Sequence, residues 1–257
     1  MKKICSFIIA VLLVIVYSES WAESISGKII MDFDLSAHTT DKEVQIWLPY
    51  PVSDSHQHIT NIHVEGNYTE YAVYTDQKFQ APMIYAKWEN GAKTRKLTFS
   101  FTAKRRKITR DILPARMVAW DPSDYKLYLA PNRLGPIDGE VKKLADDITE
   151  GKNTLLEKAK AVYDWTCENT YRNPKTRGCG EGNVCLLLND PGGKCVDINS
   201  IFVALAKAAG IPAREMFGIR QGKESGQDIT TWYHCWAEFY LPGNGWIPVD
   251  PADVRKM

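Results

Sequence analysis

Residues 191–212 read PGGKCVDINSIFVALAKAAGIP, and the architecture of the C-terminal half follows from this stretch. Pro191, Gly192 and Gly193 form a turn, and an apolar pattern at helical spacing begins at once. Ile198, Ile201, Phe202, Leu205 and Ala209 fall on one face, with Val203 and Ala206 beside them. Gly210 and Pro212 stop the helix. A helix that is apolar on most sides is expected to be central and buried. Cys195 stands at its head, where unpaired backbone N–H groups and the positive end of the helix dipole favour a thiolate.

The flanking sequence supplies partners for this helix. Upstream, Pro136 suits a first helical position, and Ile137, Val141, Leu144, Ala145 and Ile148 recur at helical spacing. A second helix begins at Thr154, which can form a capping box with Glu157. Residues 173–194 hold five glycines and read as an irregular loop. Downstream, strands are expected over 215–220, 230–240 and 246–249, with a glycine-containing polar loop at 222–228 between the first two. Residues 136–257 therefore read as helices followed by strands, the order of an α+β domain.

The N-terminal half has a different period. Ile25, Gly27, Ile29, Met31, Phe33 and Leu35 alternate with polar residues, as do Val44, Ile46 and Leu48, and then Leu97, Phe99, Phe101 and Ala103. Short alternating strands separated by turns such as Asn90-Gly91 indicate a β-sandwich-like accessory domain over 23–110. A connector with little periodicity spans 111–135, and 125–129 within it reads as a strand.

Composition narrows the function. The formal net charge is +1, which argues against a general nucleic-acid binder. The dense basic run Lys104-Arg105-Arg106-Lys107 ends a strand pattern and reads as a solvated strand end. Residues 1–22 read as a signal peptide: Lys2 and Lys3, an apolar run from Ile4 to Tyr17, and small residues Ser20 and Ala22 before a cleavage site. The run is short for a membrane span, so no stable membrane insertion is expected after processing. Removal takes Lys2, Lys3 and Glu19 with it and leaves a mature net charge of zero. The mature protein is expected to be bacterial, and periplasmic or secreted.

Cys5 leaves with this peptide, and Cys167, Cys179, Cys185, Cys195 and Cys235 remain. With Cys195 as the free thiol, the other four are enough for two disulfides in any of three connectivities, among which the sequence does not choose; a bridge involving Cys179 and Cys185, both in a glycine-containing loop, is favoured. No Cys-x-x-Cys pair or cofactor motif stands out, so neither a metal nor an organic cofactor is expected.

Three residues in chain order carry the chemistry: Cys195, His234 in an aromatic strand, and Asp250 at the end of the next. Singly, each is an ordinary structural residue. Together they are a thiol nucleophile, a base and the carboxylate that orients the base. The backbone N–H of Cys195 is a natural oxyanion donor, and Trp165, Tyr171 and Trp236 are candidates for a second.

Local sequence around these residues resembles the transglutaminase-like superfamily. The similarity lies in Gly193-Lys194-Cys195-Val196-Asp197 with the following helix, and in Ala209-Gly210-Ile211-Pro212-Ala213-Arg214. It continues in His234-Cys235-Trp236-Ala237-Glu238 and Gly245-Trp246-Ile247-Pro248-Val249-Asp250-Pro251. The resemblance implies a papain-like α+β core over 136–257, preceded by an accessory β module. It also implies Cys195 as nucleophile, His234 as general base and acid, and Asp250 as orienting carboxylate. Asp197 and Arg214 match the pattern in structural roles. The implied activity is attack on a peptide or protein amide through a Cys thioester, with water or an amine as acceptor and hydrolysis favoured. The alternative is an inactive module that keeps the fold and binds peptides or glycans. The chain stops seven residues after Asp250, whereas sheets of the family continue. The domain is therefore expected to be a short or truncated member, with Asp250 near a free chain end and a sheet edge left unpaired.

Overall fold

The computed structural model describes residues 24–38, 41–107 and 119–256. The signal peptide expected over 1–22 lies outside the described residues. The chain divides into two units, 1–109 and 110–257.

In the first unit, alternation of apolar and polar residues builds two three-stranded antiparallel sheets. One places β1 (Ser24–Asp34) and β3 (Gln57–Gly66) on either side of β6 (Lys96–Arg106). The other places β2 (Val44–Pro49) and β4 (Glu70–Thr75) on either side of β5 (Pro82–Trp88). Ile29, Leu97, Phe99 and Phe101 of the first sheet and Ile84, Ala86 and Trp88 of the second share one core. Inward faces packed together on one core make a sandwich. Trp88 is completely buried, and its indole N–H donates to Asn67 Oδ1 at 2.9 Å. The basic run closes β6, with Arg106 opposite Ser24.

In the second unit, short helical turns lead into a helical layer. Asp121 Oδ1 accepts from the Ser123 N–H at 2.8 Å and starts a 3-10 turn, Pro122–Tyr125, which continues into α1 (Lys126–Leu129). The strand expected over 125–129 is therefore helical, because an Asp-Pro-Ser start caps a helical turn before any strand can pair. The next helix, α2 (Gly139–Thr149), begins three residues after Pro136. Asn132 Oδ1 accepts from the Leu134 and Gly135 N–H groups, and Leu134 O accepts from Val184 N, so the chain is held in a turn up to Asp138. Thr154 and Glu157 form the expected capping box at the start of α3 (Leu155–Asn169). Such a cap contributes about 1 kcal/mol.

The glycine-containing segment holds more order than its composition suggests. It contains α4 (Val184–Leu187), and β8 (Gly192–Gly193) pairs in parallel with β7 (Tyr171–Arg172).

The decisive helix, α5 (Cys195–Ala208), is buried along nearly its whole length, and Ile201, Phe202, Leu205 and Ala206 are fully enclosed. Each large apolar side chain of this kind contributes about 1.5–3 kcal/mol by burial. Gly210 ends the helix with φ of 81°, a left-handed conformation that permits the Ile211 N–H to reach back to Ala206 O at 2.9 Å. The chain then forms an antiparallel sheet in the order β11–β10–β9, comprising β9 (Ala213–Ile219), β10 (Tyr233–Leu241) and β11 (Gly245–Val249). Ala237, Phe239 and Leu241 of β10 join the core that α2, α3 and α5 fill from the other side. A last turn, α6 (Pro251–Val254), packs against α5. Helices on an antiparallel sheet, preceded by a sheet-only unit, are the α+β arrangement read from the sequence. Among the described residues, no helix is long and apolar enough to cross a membrane.

Candidate active site

The head of α5, the start of β10 and the end of β11 meet at one point. Cys195 is the first residue of α5 and is 6% exposed. His234 sits opposite Gly218 in the β10–β9 register and is 9% exposed. Asp250 follows β11 directly. His234 Nε2 lies 2.5 Å from Asp250 Oδ2, and the ring also hydrogen bonds to the Cys195 thiol. With Nε2 on the carboxylate, Nδ1 is the nitrogen left for sulfur. The three residues singled out in the sequence thus form one continuous chain of contacts.

Asp250 is anchored by a second contact of its carboxylate. It is the N-cap of α6: its Oδ1 accepts from the Asp253 N–H at 3.2 Å while Oδ2 holds the imidazole.

The electrostatics favour an ion pair. The Cys195 thiol is pushed down to about 3, first by a hydrogen bond from the Cys235 thiol. Burial opposes the shift, while the His234 side chain, the Cys235 backbone N–H and the Cys179 thiol reinforce it. Burial also works against His234 protonation, yet hydrogen bonds to Asp250 and Cys195 raise the imidazole to about 9. Cys235 is pushed up, because its proton is held by the Cys195 sulfur and its site is buried. A thiol lowered and an imidazole raised in this way stand side by side as a thiolate and an imidazolium.

Several of these partners escape sequence reasoning. Cys235 is 2% exposed and acts as a donor to the nucleophile, although it was expected in a disulfide. Asn199, one turn into α5 and fully buried, donates from Nδ2 to Cys235 O at 2.9 Å and fixes β10 beside the helix head. The sequence gives little hint of this, since Asp197, Ser200 and Lys207 are also polar residues of the helix. The disulfide expectation is corrected: Cys167, Cys179, Cys185, Cys195 and Cys235 are all free thiols. Cys179 hydrogen bonds to Cys195 rather than bridging to Cys185. Glycine content suggests a loop where the two could meet, but Cys185 lies exposed in α4 and Cys179 turns to Cys195.

Asp197 is the clamp. Its buried carboxylate accepts from the N–H groups of Glu181 and Gly182, both at 2.9 Å, and of Lys194 at 3.1 Å. A Cβ at Gly193 would stand 2.3 Å from Asp197 Cβ, so only glycine lets the turn close this tightly. Arg214 binds Glu238 Oε2 at 2.7 Å across β9 and β10, and its guanidinium lies 4.1 Å from the Trp246 ring centre. Both residues have the structural roles expected of them.

Cys195 and His234 open into a cavity of about 390 Å³ that Trp232 and Tyr233 also line. Trp165, Tyr171 and Trp236 do not line it. Tyr171 instead donates its hydroxyl to Asp190 at 2.7 Å, and Trp236 packs over Gly218. His234, Asp250 and Asp253 are close enough to share a cation, but Asp250 is already bonded to the ring and Asp253 to Arg220 and Lys256. The group therefore reads as an ion-pair network.

Residues 142–251 match the family model of the transglutaminase-like superfamily. This segment is similar to a transglutaminase-like domain. An uncharacterized protein of Haemophilus influenzae is 36% identical over 241 residues, covering 84% of this chain and 65% of its own length. The uncharacterized protein YebA of Bacillus subtilis is 30% identical over 132 residues, covering 44% of this chain and 17% of its own length. The chain thus spans less than two thirds of either relative. A crystal structure from Cytophaga hutchinsonii, provisionally named a cysteine protease, superposes with a TM-score of 0.65 at 18% identity. That superposition covers 90% of this chain and 79% of the other, and it shows a shared fold. The matched segment includes Cys195, His234 and Asp250, and it begins inside α2.

Proposed function

We propose that the transglutaminase-like domain is an exported thiol amidase that cleaves peptide or protein amides through a Cys195 thioester. The observation that carries this reading is the Asp250–His234–Cys195 chain at the head of a buried helix, open to a cavity. In the proposed cycle the Cys195 thiolate attacks the amide carbonyl carbon, and the oxyanion faces the backbone N–H of Cys195 at the head of α5. His234 Nδ1–H passes its proton to the leaving amine, the C–N bond breaks, and a thioester remains. Neutral His234 then takes a proton from water, whose oxygen attacks the thioester. The acid product leaves, and the thiolate–imidazolium pair is restored. Asp250 holds the ring throughout. The export signal read in residues 1–22 supports a periplasmic or secreted setting, where water is the abundant acceptor. Hydrolysis is favoured over amine transfer on that ground.

Incubation with a peptide panel and a labelled amine, read by mass spectrometry, tests the reaction. A mass gain of one water across a cut is expected, whereas label incorporation would make the protein a transferase. No product from any peptide, with Cys195 as unreactive as an ordinary thiol, would favour a binding module that keeps the fold.

The ion pair has its own signature. A thiol whose pKa is depressed is deprotonated above its lowered value, and a raised imidazole keeps its proton until its own value is passed. Iodoacetamide should therefore alkylate Cys195 at a nearly constant rate from about pH 4 to about pH 8. In His234→Ala the onset should move upward in pH. An onset near the ordinary thiol value in the unaltered protein would rule out the pair.

A further inference from the structure

The cavity beside Cys195 is strongly basic in a protein that is nearly neutral overall. Arg172, Lys194, Arg220 and Lys256 line it, and none of its lining residues is an Asp or Glu. The whole chain carries 32 Lys and Arg against 31 Asp and Glu, so this one-sided lining is local and not a reflection of bulk composition. Two of the four cations are accounted for. Asp253 binds Arg220 through Oδ2 and Lys256 through Oδ1, each at 2.5 Å. The thiolate and imidazolium neutralise each other. Arg172 and Lys194 remain, both half-buried, and neither has an ion-pair partner among the described residues.

These two cations are held in place by the backbone. Arg172 lies opposite Gly193 in the β7–β8 ladder, and the flanking bonds run from Tyr171 N to Pro191 O at 3.1 Å and from Asn173 N to Gly193 O at 2.9 Å. Lys194 directly precedes the nucleophile, and its own N–H is bound by Asp197. One strand pair therefore carries both charges to the same side of Cys195. Two half-buried cations without a counter-ion bear a desolvation cost that an incoming anion would offset. Concave, low-dielectric walls strengthen that attraction, and the arginine fork matches a carboxylate in two-point geometry.

We propose that Arg172 and Lys194 form an anion subsite, and that the preferred acyl donor is an acidic peptide with a carboxylate next to the amide that is cut. This inference rests on the thiol reading of Cys195 and adds the substrate class. Arg172 and Lys194 act as specificity residues and leave the thiolate itself to its other donors.

Two alkylating agents that differ in one group provide the test. Iodoacetate carries the carboxylate and iodoacetamide does not, and both report on Cys195 whether or not any peptide is cut. The iodoacetate-to-iodoacetamide rate ratio at Cys195 should exceed that of free cysteine at least five-fold at low salt and fall as salt rises. Arg172→Gln with Lys194→Gln should return the ratio to that of free cysteine, while Arg172→Lys should retain most of it. In parallel, kcat/KM should be about ten-fold higher for a peptide with Glu flanking the cut than for its Gln counterpart, and this preference should vanish in the double variant. A ratio equal to that of free cysteine overturns the proposal. So does a double variant that slows both reagents equally, since the two cations would then serve only the thiolate. If the iodoacetate preference holds and no peptide is cut, the subsite stands and the amidase reading fails.

Discussion

Replacing Cys195 with Ala is expected to lower peptide turnover by about 10⁶-fold, the size of loss seen when a triad nucleophile is removed. The geometry explains why so much depends on one atom. His234, Cys235 and Cys179 all direct hydrogen bonds at the Cys195 sulfur, and Asp250 acts only through the ring. Without the sulfur, the imidazole has no nucleophile to pair with, and catalysis reduces to whatever the cavity does to water. Cys195→Ser should be nearly as inactive, because a hydroxyl of similar shape stays protonated where the thiol does not. Neither change removes a large side chain from the core, so the far-ultraviolet spectrum and the melting temperature should stay close to those of the parent. Turnover in Cys195→Ala within ten-fold of the parent, measured on the most responsive peptide of the panel, would remove Cys195 from the reaction.

Asp197→Ala should have the largest effect on stability. The substitution strips the acceptor from three backbone N–H groups, that of Gly182 in a buried bond and those of Glu181 and Lys194 in part-buried ones. A buried donor left without a partner costs about 1–3 kcal/mol and a part-buried one less, so a total on the order of 3–6 kcal/mol is expected. For a domain of this size that is a fall in melting temperature of about 10 °C or more. Activity should fall with it, because Lys194 leads straight into the nucleophile and Cys179 O receives the Val196 N–H from the same segment. Asp197→Asn separates charge from shape. Its carbonyl oxygen can still accept from Glu181 and Gly182, but its amide would face the Lys194 N–H, donor against donor. An intermediate melting temperature is expected. If Asp197→Ala melts within 2 °C of the parent, the carboxylate does not hold the loop.

Where period and punctuation were strong, the sequence was a good guide. The apolar repeat from Ile198 to Leu205 and its stop at Gly210 correspond to α5, and the Thr154–Glu157 pair marks the start of α3. Alternation in the N-terminal half corresponds to strands with the inward faces expected of Ile29, Ile46 and Phe99. What escaped is what depends on contact across the chain. Residues 125–129 alternate enough to suggest a strand, but the Asp121 cap upstream commits them to a helical turn. Glycine content hid α4 and the β7–β8 pair, because two to four residues are too few to show a period. The cysteines were assigned by counting, and counting cannot show that Cys235 is directed at a neighbouring sulfur by Asn199 and the β10 register. At the site, the order Cys195, His234, Asp250 was visible, whereas the Asp253 network and the pair Arg172 and Lys194 needed the fold to bring them there.

Asp250 gives a single carboxylate two employments, one oxygen for the ring and one for the first turn of α6. Winding the last four helical residues and aiming the imidazole are consequently a single event. A molecule whose tail has come undone would keep its sheet, its buried helix and its apparent health in a spectrometer, yet its histidine would swing without a tether. Loss of function would then precede loss of structure on heating, and the temperature separating the two would measure the hold of that one turn.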